Sequence, residues 1–290
     1  MSMDNVAARG ASGQATRRKI GLALFELVMI ALTLIYLVPL YFMVITAFKT
    51  SKELIFTPLS LPNSFLYFEN FKEAWNQVDL GRAYLNTAYI ATLAVCGRIV
   101  VSSMASFTLA KRPSRLHNAL YVFFLMGIMI PLYSVLVPMV KLIKDLGLMN
   151  SPLGLVVVYI GTGMPFNVFM LTGFTRSLPG ELIEAATIDG CGVYRIFWVI
   201  IFPLLKPVLA TIFLLDFLGI WNDFLLPLLT LSNVSDRTIT LAMYNFYSEY
   251  GSRWGLAFAG YTIAILPVVL LFIALQKYIV SGILVGAVKG

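Results

Sequence analysis

The side chains best able to do chemistry in this sequence are three charged residues within long apolar stretches. Asp216 and Asp223 are seven residues apart, so a continuous helix would place both on one face. Arg98 interrupts a different apolar stretch. An ionisable side chain near the centre of a bilayer costs about 2.5–3.5 kcal/mol, so each of the three must face protein or water. The two acids either line a polar pathway for a hydroxyl-bearing solute or form polar pairs within the protein, for example Asp216 with Arg98. We favour the pairing for each acid.

The other reactive residues do not form a cluster. His117 is the single histidine and lies in a short basic loop with no cysteine or carboxylate nearby. Cys96 lies in an apolar stretch and Cys191 in a polar loop, so neither a disulfide framework nor a metal-ligand spacing is present. An intramembrane enzyme would need a clustered acid, base or metal set. We therefore expect no catalytic residue, no metal and no cofactor on this chain.

The segments that must position these residues are long and apolar. Hydrophobic residues make up 59% of the 290 residues and charged residues only 12%, whereas soluble domains carry about 25% charged residues. A hydrocarbon layer of roughly 30 Å needs about 20 apolar helical residues to cross it. We therefore predict an all-α, polytopic membrane protein with six transmembrane helices. The predicted spans are residues 20–48, 83–110, 118–140, 152–175, 207–231 and 254–276.

The distribution of lysine and arginine predicts the orientation of these spans. With the N-terminus in the cytoplasm, the cytoplasmic segments carry twelve basic residues and the outside segments eight, as the positive-inside rule requires. The predicted division is a cytoplasmic tail at 1–19, a six-helix transmembrane domain at 20–280 and a second cytoplasmic tail at 281–290. The N-terminal segment lacks the features of a cleaved signal. No basic run with interleaved aromatics lies outside the spans, so the net charge of +7 does not indicate a nucleic-acid partner.

Residues 176–206, between the predicted fourth and fifth spans, have the features of a cytoplasmic helix–turn–helix. Glu184 favours the positive end of a helix dipole. Asp189 is followed by Gly190, which adopts the left-handed backbone that ends a helix at little cost. A second, amphipathic helix then extends to about Pro203. A short exposed helix with small side chains lets a partner surface approach closely, so we predict a docking element rather than a chemical site.

The spacing within this loop matches a known pattern. It consists of Glu184, Ala185, Ala186, Asp189, Gly190, Ile200 and Pro203. These residues resemble the EAA loop of importer-type ATP-binding-cassette (ABC) transporter permeases. In that family a short coupling helix sits in a cleft of the ATP-hydrolysing subunit, so the resemblance implies that this coupling loop docks an ATPase. One departure is Cys191, where the family usually has alanine, and its small size should preserve docking.

Two further stretches resemble the carbohydrate branch of that family, which is related to the maltose permease. They are Trp221-Asn222-Asp223-Phe224-Leu225-Leu226-Pro227-Leu228 and Gly286-Ala287-Val288-Lys289-Gly290. The resemblance implies a multi-pass permease of a bacterial or archaeal inner membrane, surrounded by lipid, that imports a sugar or oligosaccharide. It implies four further partners: a second permease subunit, two ATPase subunits and an extracytoplasmic solute-binding protein.

The candidate substrate pathway lies in and around the first of these stretches. It consists of Asp216, Trp221, Asn222 and Asp223. Trp221 either stacks on a sugar ring or belongs to the aromatic belt at the membrane interface, and we favour the belt. The chain lacks the G-x-x-x-x-G-K-[ST] phosphate-binding motif. We therefore expect ATP hydrolysis on a separate subunit and no enzymatic activity on this one.

Two alternative functions stay open at this point. A stand-alone secondary transporter would use paired acids as ion sites and would carry internal repeats with broken helices. No convincing internal repeat is present, and that function would leave the coupling loop unexplained. The other alternative is an ABC permease for a solute that is not a sugar, such as a glycerophosphate.

Overall fold

The computed structural model describes residues 3–112, 114–250 and 253–287, and the side chains of residues 20–112, 114–244, 253–274 and 276. Within these residues every regular element is helical, which confirms the predicted all-α class. The α-helices in chain order are α1 (Met3–Ala47), α2 (Ser51–Phe56), α3 (Glu69–Gln77), α4 (Leu80–Lys111), α5 (Arg115–Met129), α6 (Leu136–Asp145), α7 (Pro152–Arg176), α8 (Glu181–Ile188), α9 (Val193–Arg195), α10 (Phe202–Leu204), α11 (Lys206–Asn222), α12 (Leu225–Thr230), α13 (Ile239–Tyr250) and α14 (Trp254–Ala287). Short 3₁₀ segments occur at Leu132–Val135 and Val234–Asp236, and a π-helical segment at Ile196–Ile201.

Four of these helices are long and apolar enough to cross a membrane by themselves. They are Ile20–Ala47 of α1, α4, α7 and Trp254–Ala274 of α14. Two helix pairs pass the same test together but are bent at a short break: Arg115–Met129 with Leu132–Asp145, by 94°, and Val193–Leu204 with Lys206–Asn222, by 74°. By length and composition, the described residues therefore hold four candidate spans, or up to six if each bent pair is one span. The second bent pair begins at Val193, within the segment that we predicted to be a cytoplasmic loop, so it does not match the predicted fifth span.

The predicted third span is broken near its centre. Helix α5 ends at Met129, and both Ile130 and Pro131 have extended backbones. Proline has no amide hydrogen to donate and disfavours a helical conformation at the residue before it, so the helix stops there. The prediction of one continuous helix over 118–140 is therefore wrong.

The predicted fifth span, 207–231, is also not a single helix. Helix α11 ends at Asn222, and Asp223 has an extended backbone with φ −69° and ψ 131°. The Asp223 carboxylate accepts a hydrogen bond from the Leu225 amide at 3.0 Å, at the start of α12. Asp223 thus lies at a break between two helices, and the prediction that it shares one helix with Asp216 is wrong.

By their contacts, the residues form two compact units, Met1–Lys72 with Ser252–Thr262 and Glu73–Gly251 with Ile263–Gly290. In the first unit, Lys49 is fully buried and its Nζ donates to the carbonyls of Thr57 at 2.8 Å and Pro58 at 2.7 Å. These bonds hold the end of α1 against the chain that follows α2. The predicted tails, 1–19 and 281–290, lie outside the residues whose side chains are described, and the predicted domain bounds stay a prediction.

The second unit is built on the packing of α4 against α7. Small side chains let the two helices approach closely, as is usual between membrane helices. Ala94, Ser102 and Ser106 are fully buried on α4, and Ser106 Oγ donates to the Val168 carbonyl of α7 at 3.3 Å. Helix α11 packs beside this pair. The three helices carry most of the polar side chains described below.

Candidate functional site

The coupling loop has the helix–turn–helix geometry that its sequence predicts. Gly190 adopts the left-handed conformation, with φ +75°, directly after α8. Its amide donates to the Thr187 carbonyl at 3.0 Å, and the Cys191 amide donates to the Ala186 carbonyl at 2.9 Å. These two bonds form a Schellman motif, which satisfies the last carbonyls of the helix. The chain then turns into the segment that runs from α9 to α10.

One side of α8 packs against its own unit. Ala186 is only 5% exposed and belongs to a hydrophobic cluster with residues of the following segment and of α4 and α11. Its small side chain therefore lets α8 approach its own core and does not face a partner, which corrects for Ala186 the expectation that the small side chains of this helix meet a partner surface. Cys191 and Pro203 are half-buried, and Cys191 packs against the same cluster.

The opposite side of α8 is open to solvent. Glu184, Ala185 and Asp189 are exposed, and the apolar side chain of Ile188 is 86% exposed. An apolar side chain that projects from the end of a well-capped helix gains free energy when a partner covers it. This exposed side is the part of the coupling loop that could dock.

The coupling loop follows α7 directly and also contacts α4 and α5. Lys111, the last residue of α4, donates from Nζ to the Leu178 carbonyl at 2.7 Å. The guanidinium of Arg176, at the end of α7, lies 4.7 Å from the ring centroid of Tyr121 of α5. A displacement of α8 would therefore act on α4 and α7 as well as on the helix that follows the loop.

The charged residues of the apolar stretches form a buried network. The Arg98 guanidinium, in a residue only 6% exposed, donates from Nη1 to Asp216 Oδ1 at 2.6 Å. Its Nε donates to the Tyr159 carbonyl at 3.0 Å, and its Nη2 donates to the same oxygen. Asn167 Nδ2 donates to Asp216 Oδ2 at 2.7 Å. The favoured pairing of Asp216 with Arg98 is thus confirmed, and the pair joins α4, α7 and α11.

Tyr159 connects this ion pair to the second acid. Its hydroxyl donates to Asp223 Oδ2 at 2.7 Å, while its carbonyl accepts from Arg98. The Asp223 carbonyl accepts a hydrogen bond from Thr240 Oγ1 at 2.6 Å, which adds α13. We call Arg98, Tyr159, Asn167, Asp216 and Asp223 the polar network.

Sequence reasoning did not identify the residues that α7 contributes. Tyr159, Gly163 and Asn167 are each four residues apart, so they lie on one face of the helix. A Cβ atom on Gly163 would lie 1.9 Å from Arg98 Cζ, so only glycine leaves room for the guanidinium. This row of small and polar residues in an apolar helix was the signal that could have revealed them.

A partly open pocket of about 750 Å³ lies beside the polar network. Asp216, Asn222 and Asp223 line it, together with Arg98 and Tyr159. Its other lining residues are mostly apolar and come from α5 to α7, α11 and α12. We call it the network pocket. Three of the four predicted pathway residues are thus brought together in one place, and their role in a pathway stays a prediction.

Trp221 does not reach the network pocket. It is 3% exposed, and its ring stacks on Phe217 with centroids 5.4 Å apart and meets the edge of Tyr84 at 5.7 Å. A buried ring can neither stack on a sugar nor lie in a lipid-facing belt. Both interpretations of Trp221 are therefore wrong for this structure, because aromatic packing within the unit buries the side chain.

The lone histidine and the cysteines have structural surroundings. His117 Nδ1 lies 2.6 Å from Ser114 Oγ at the start of α5. Cys96 is exposed, and Cys191 is half-buried in the coupling loop. Among the residues that the structure describes, no group of three histidine, cysteine or acidic side chains is placed to hold a metal ion.

Known proteins resemble this chain over most of its length. The family described as "Binding-protein-dependent transport system inner membrane component" matches residues 99–285. The probable starch degradation products transport system permease protein AmyC of Thermoanaerobacterium thermosulfurigenes is 38% identical, over 90% of this chain and 94% of that protein. The melibiose/raffinose/stachyose import permease protein MelC of Bacillus subtilis is 35% identical, over 88% and 92%. The diacetylchitobiose uptake system permease protein NgcG of Streptomyces coelicolor is 29% identical, over 92% and 89%.

Solved structures share the fold. A chain of a bacterial ABC transporter involved in the import of the acidic polysaccharide alginate superposes with a TM-score of 0.81 at 19% identity, over 90% of this chain and 96% of that one. A chain of an alginate ABC transporter in complex with an alginate pentasaccharide-bound periplasmic protein gives 0.64 at 17% identity, over 90% and 93%. The family match and the identity over nearly the whole chain confirm the resemblance to ABC importer permeases, and the chain belongs to the family of binding-protein-dependent transport system inner membrane components.

Proposed function

We propose that this chain is a permease subunit of an ABC importer for a sugar or oligosaccharide. It pairs with a second permease subunit, two ATPase subunits supply the energy, and a solute-binding protein delivers the solute from outside the membrane. The observation that carries the proposal is α8, which is capped at its end, packed on its own unit along one side and exposed along the other.

The exposed side of α8 suits a docking role. Ile188 projects from the last turn, and burying a side chain of that size contributes about 1.5–3 kcal/mol. Glu184 and Asp189 flank it and can form hydrogen bonds with a partner at the edge of such a contact. A partner that binds here contacts a helix held in a fixed position, because the Schellman motif and the buried Ala186 fix α8 on its own unit.

The same packing provides a route from the docking side to the network pocket. The coupling loop is continuous with α11, which carries Asp216, and Lys111 joins it to α4, which carries Arg98. A motion that ATPase subunits impose on α8 would therefore shift the helices that line the pocket. Such a shift is what alternating access requires of a subunit whose sequence lacks the G-x-x-x-x-G-K-[ST] motif.

The names of the relatives support a saccharide as the solute. They describe transport of starch degradation products, of melibiose, raffinose and stachyose, and of diacetylchitobiose. The network pocket combines carboxylate, amide and hydroxyl groups with apolar and aromatic surface, the mixture that a sugar ring with polar edges and apolar faces needs.

The excess of lysine and arginine in the segments assigned to the inside supports an orientation with the coupling loop and both termini in the cytoplasm. The network pocket then lies in the part of the chain that crosses the membrane. The chain would be a multi-pass component of a bacterial or archaeal inner membrane.

Isolation of the tagged chain from its own membranes, followed by reconstitution, tests the proposal. We expect a second permease and an ATPase to co-purify, and we expect the proteoliposomes to take up oligosaccharide only with ATP and the solute-binding protein. An ion gradient without ATP serves as the control for a secondary transporter. Uptake driven by that gradient, from a preparation that holds no ATPase chain, would overturn the proposal.

A further inference from the structure

The charges that line the network pocket do not cancel. The charged lining residues are Arg98, Asp216 and Asp223. Arg98 and Asp216 offset each other through an ion pair of 2.6 Å, with both residues buried. Asp223 is bonded differently, because the groups that donate to its carboxylate are all neutral among the residues that the structure describes. They are the Tyr159 hydroxyl at 2.7 Å and the amides of Leu225 at 3.0 Å and Leu226 at 3.5 Å.

The wall of the pocket therefore carries one uncompensated negative charge. An aspartate side chain is ordinarily ionised at neutral pH. Asp223 is half-buried, so its carboxylate stays accessible from the pocket while protein covers part of it. Partial burial reduces the screening of its charge by water and salt, so an anion brought close to it meets a repulsion that bulk solvent would weaken.

Arg98 cannot offer a counter-charge to an incoming anion. Its guanidinium is committed to Asp216 and to the Tyr159 carbonyl, and Gly163 lies directly against it. To bind a solute anion, Arg98 would have to break its ion pair with Asp216. The Asp216 carboxylate would then lie unpaired beside the same anion and repel it. Arg98 is the one basic residue among the described residues that line the pocket, and the ion pair with Asp216 keeps its charge from being available to a solute.

The other lining groups suit an uncharged, hydroxyl-rich solute. The Asp223 carboxylate accepts hydrogen bonds from hydroxyl groups, and Asn222 and Thr162 add further polar groups to the wall. Tyr133, which is 74% exposed, and Phe224 provide aromatic surface for the apolar faces of a sugar ring. The volume of about 750 Å³ lies within the range of small-molecule sites, roughly 300–1,000 Å³.

We propose that the network pocket admits uncharged sugar units, whose hydroxyls donate to Asp223, and that the Asp223 carboxylate rejects anionic solutes such as uronate sugars and sugar phosphates. The inference rests on the proposed function, since it concerns the solute of the same transporter. It makes Asp223 a specificity-determining residue that acts through its charge.

The test measures binding to the purified permease–ATPase complex without the solute-binding protein, whose own specificity would otherwise decide the result. The probes are a mixture of neutral malto-, galacto- and N-acetylated chito-oligosaccharides and the same mixture oxidised at C6 to uronates. The ligands retained by the complex are quantified by mass spectrometry. We expect about a tenfold or greater preference for a retained neutral compound over its oxidised counterpart, as like charges at close range require.

Two variants and one control separate charge from structure. Asp223→Asn removes the charge and should bring the ratio close to one. Tyr159→Phe removes the hydrogen bond to Asp223 but keeps the charge, so the ratio should persist even if overall affinity falls. Asp145→Asn removes a charge from an exposed residue outside the pocket and should leave the ratio as in the wild type.

Equal retention of neutral and oxidised compounds by the wild type would overturn the inference, as would an unchanged ratio in Asp223→Asn. Failure of the complex to retain any neutral compound, while the complete system imports one of them with ATP, would also overturn it and leave the proposed function standing. The proposed function fails separately, if the complete system shows no ATP-driven uptake of any of these sugars.

Discussion

Replacing Gly163 with alanine would place a methyl group where the Arg98 guanidinium now lies. The new Cβ would be 1.9 Å from Arg98 Cζ and 2.0 Å from Nε. Carbon atoms in contact are about 3.5–4.0 Å apart, so the guanidinium would have to move by roughly 1.5 Å or more. That displacement would break the 2.6 Å bond to Asp216 or the bonds to the Tyr159 carbonyl.

Two opposing terms set the size of the effect. Alanine is favoured over glycine within a helix by roughly 0.5–1 kcal/mol. Separating a buried ion pair costs about 3–5 kcal/mol, because each charge is left without its partner. The second term is larger, so we expect Gly163→Ala to destabilise the protein by about 2–4 kcal/mol. The sign is opposite to the usual outcome of this substitution in a helix.

The assay is thermal unfolding of the detergent-solubilised protein, and α7 offers a matched control. Gly161 lies two residues away on the same helix, and a Cβ placed there would meet no atom within 4 Å. Gly161→Ala should therefore be neutral or slightly stabilising. Gly163→Ala in an Arg98→Ala background should cost little beyond the loss of Arg98 itself. Equal stability of the two glycine variants, or an undiminished cost of Gly163→Ala without Arg98, would refute the reasoning.

Two further predictions concern the turn of the coupling loop and the segment after α1. Gly190→Val puts a β-branched residue at φ +75°, so it should strain the turn and uncouple ATP hydrolysis from uptake. Gly192→Val, at φ −67°, is the control and should leave the coupling intact. The measurement is the ratio of solute taken up to ATP hydrolysed in reconstituted vesicles, and equal ratios for the two variants would contradict this prediction. Hydrogen bonds from the backbone amides of Asn63 and Thr50 hold the pKa of Glu53 below its ordinary value of 4.5, so the stability it contributes is present above that pH and is lost as pH falls through the lower folded pKa. The rates of backbone amide hydrogen exchange in this segment should therefore differ most between wild type and Glu53→Gln near neutral pH, and the two rates should converge in acid. A difference that does not shrink in acid would contradict the prediction.

Sequence reasoning succeeded where local chemistry decides the structure. A glycine after Asp189 at the end of a short helix predicts a left-handed turn, because few other residues adopt that conformation cheaply. Likewise, an arginine and two aspartates within apolar stretches have few favourable surroundings other than one another, so a polar pair such as Asp216 with Arg98 was predictable from sequence. The hydrogen bonds that Arg98 and Asp216 make to α7 could not be predicted in this way, because they depend on how the three helices pack together.

The helix breaks and the buried aromatic ring show where that reasoning stops. Apolar composition continues across Pro131 and Asp223, so hydropathy alone merges helices that single residues separate. Ala186 is small enough either to dock a partner or to pack inward, and only the fold shows that it packs inward. Tryptophan is found at membrane interfaces, in sugar sites and in protein cores. The contacts of Trp221 with Phe217 and Tyr84 place it in the core.

Cysteine cross-linking from the tip of α8 tests the central claim, that this helix docks an ATP-hydrolysing subunit. Cys96 and Cys191 are first replaced by alanine, and Ile188→Cys, at a position 86% exposed, is compared with Val137→Cys on α6, at a position 81% exposed. We predict that a short bifunctional reagent joins residue 188, and not residue 137, to the co-purifying ATPase, with a yield that changes when ATP is added. A coupling helix that gives no ATPase adduct in a complex competent for ATP-driven uptake would contradict it.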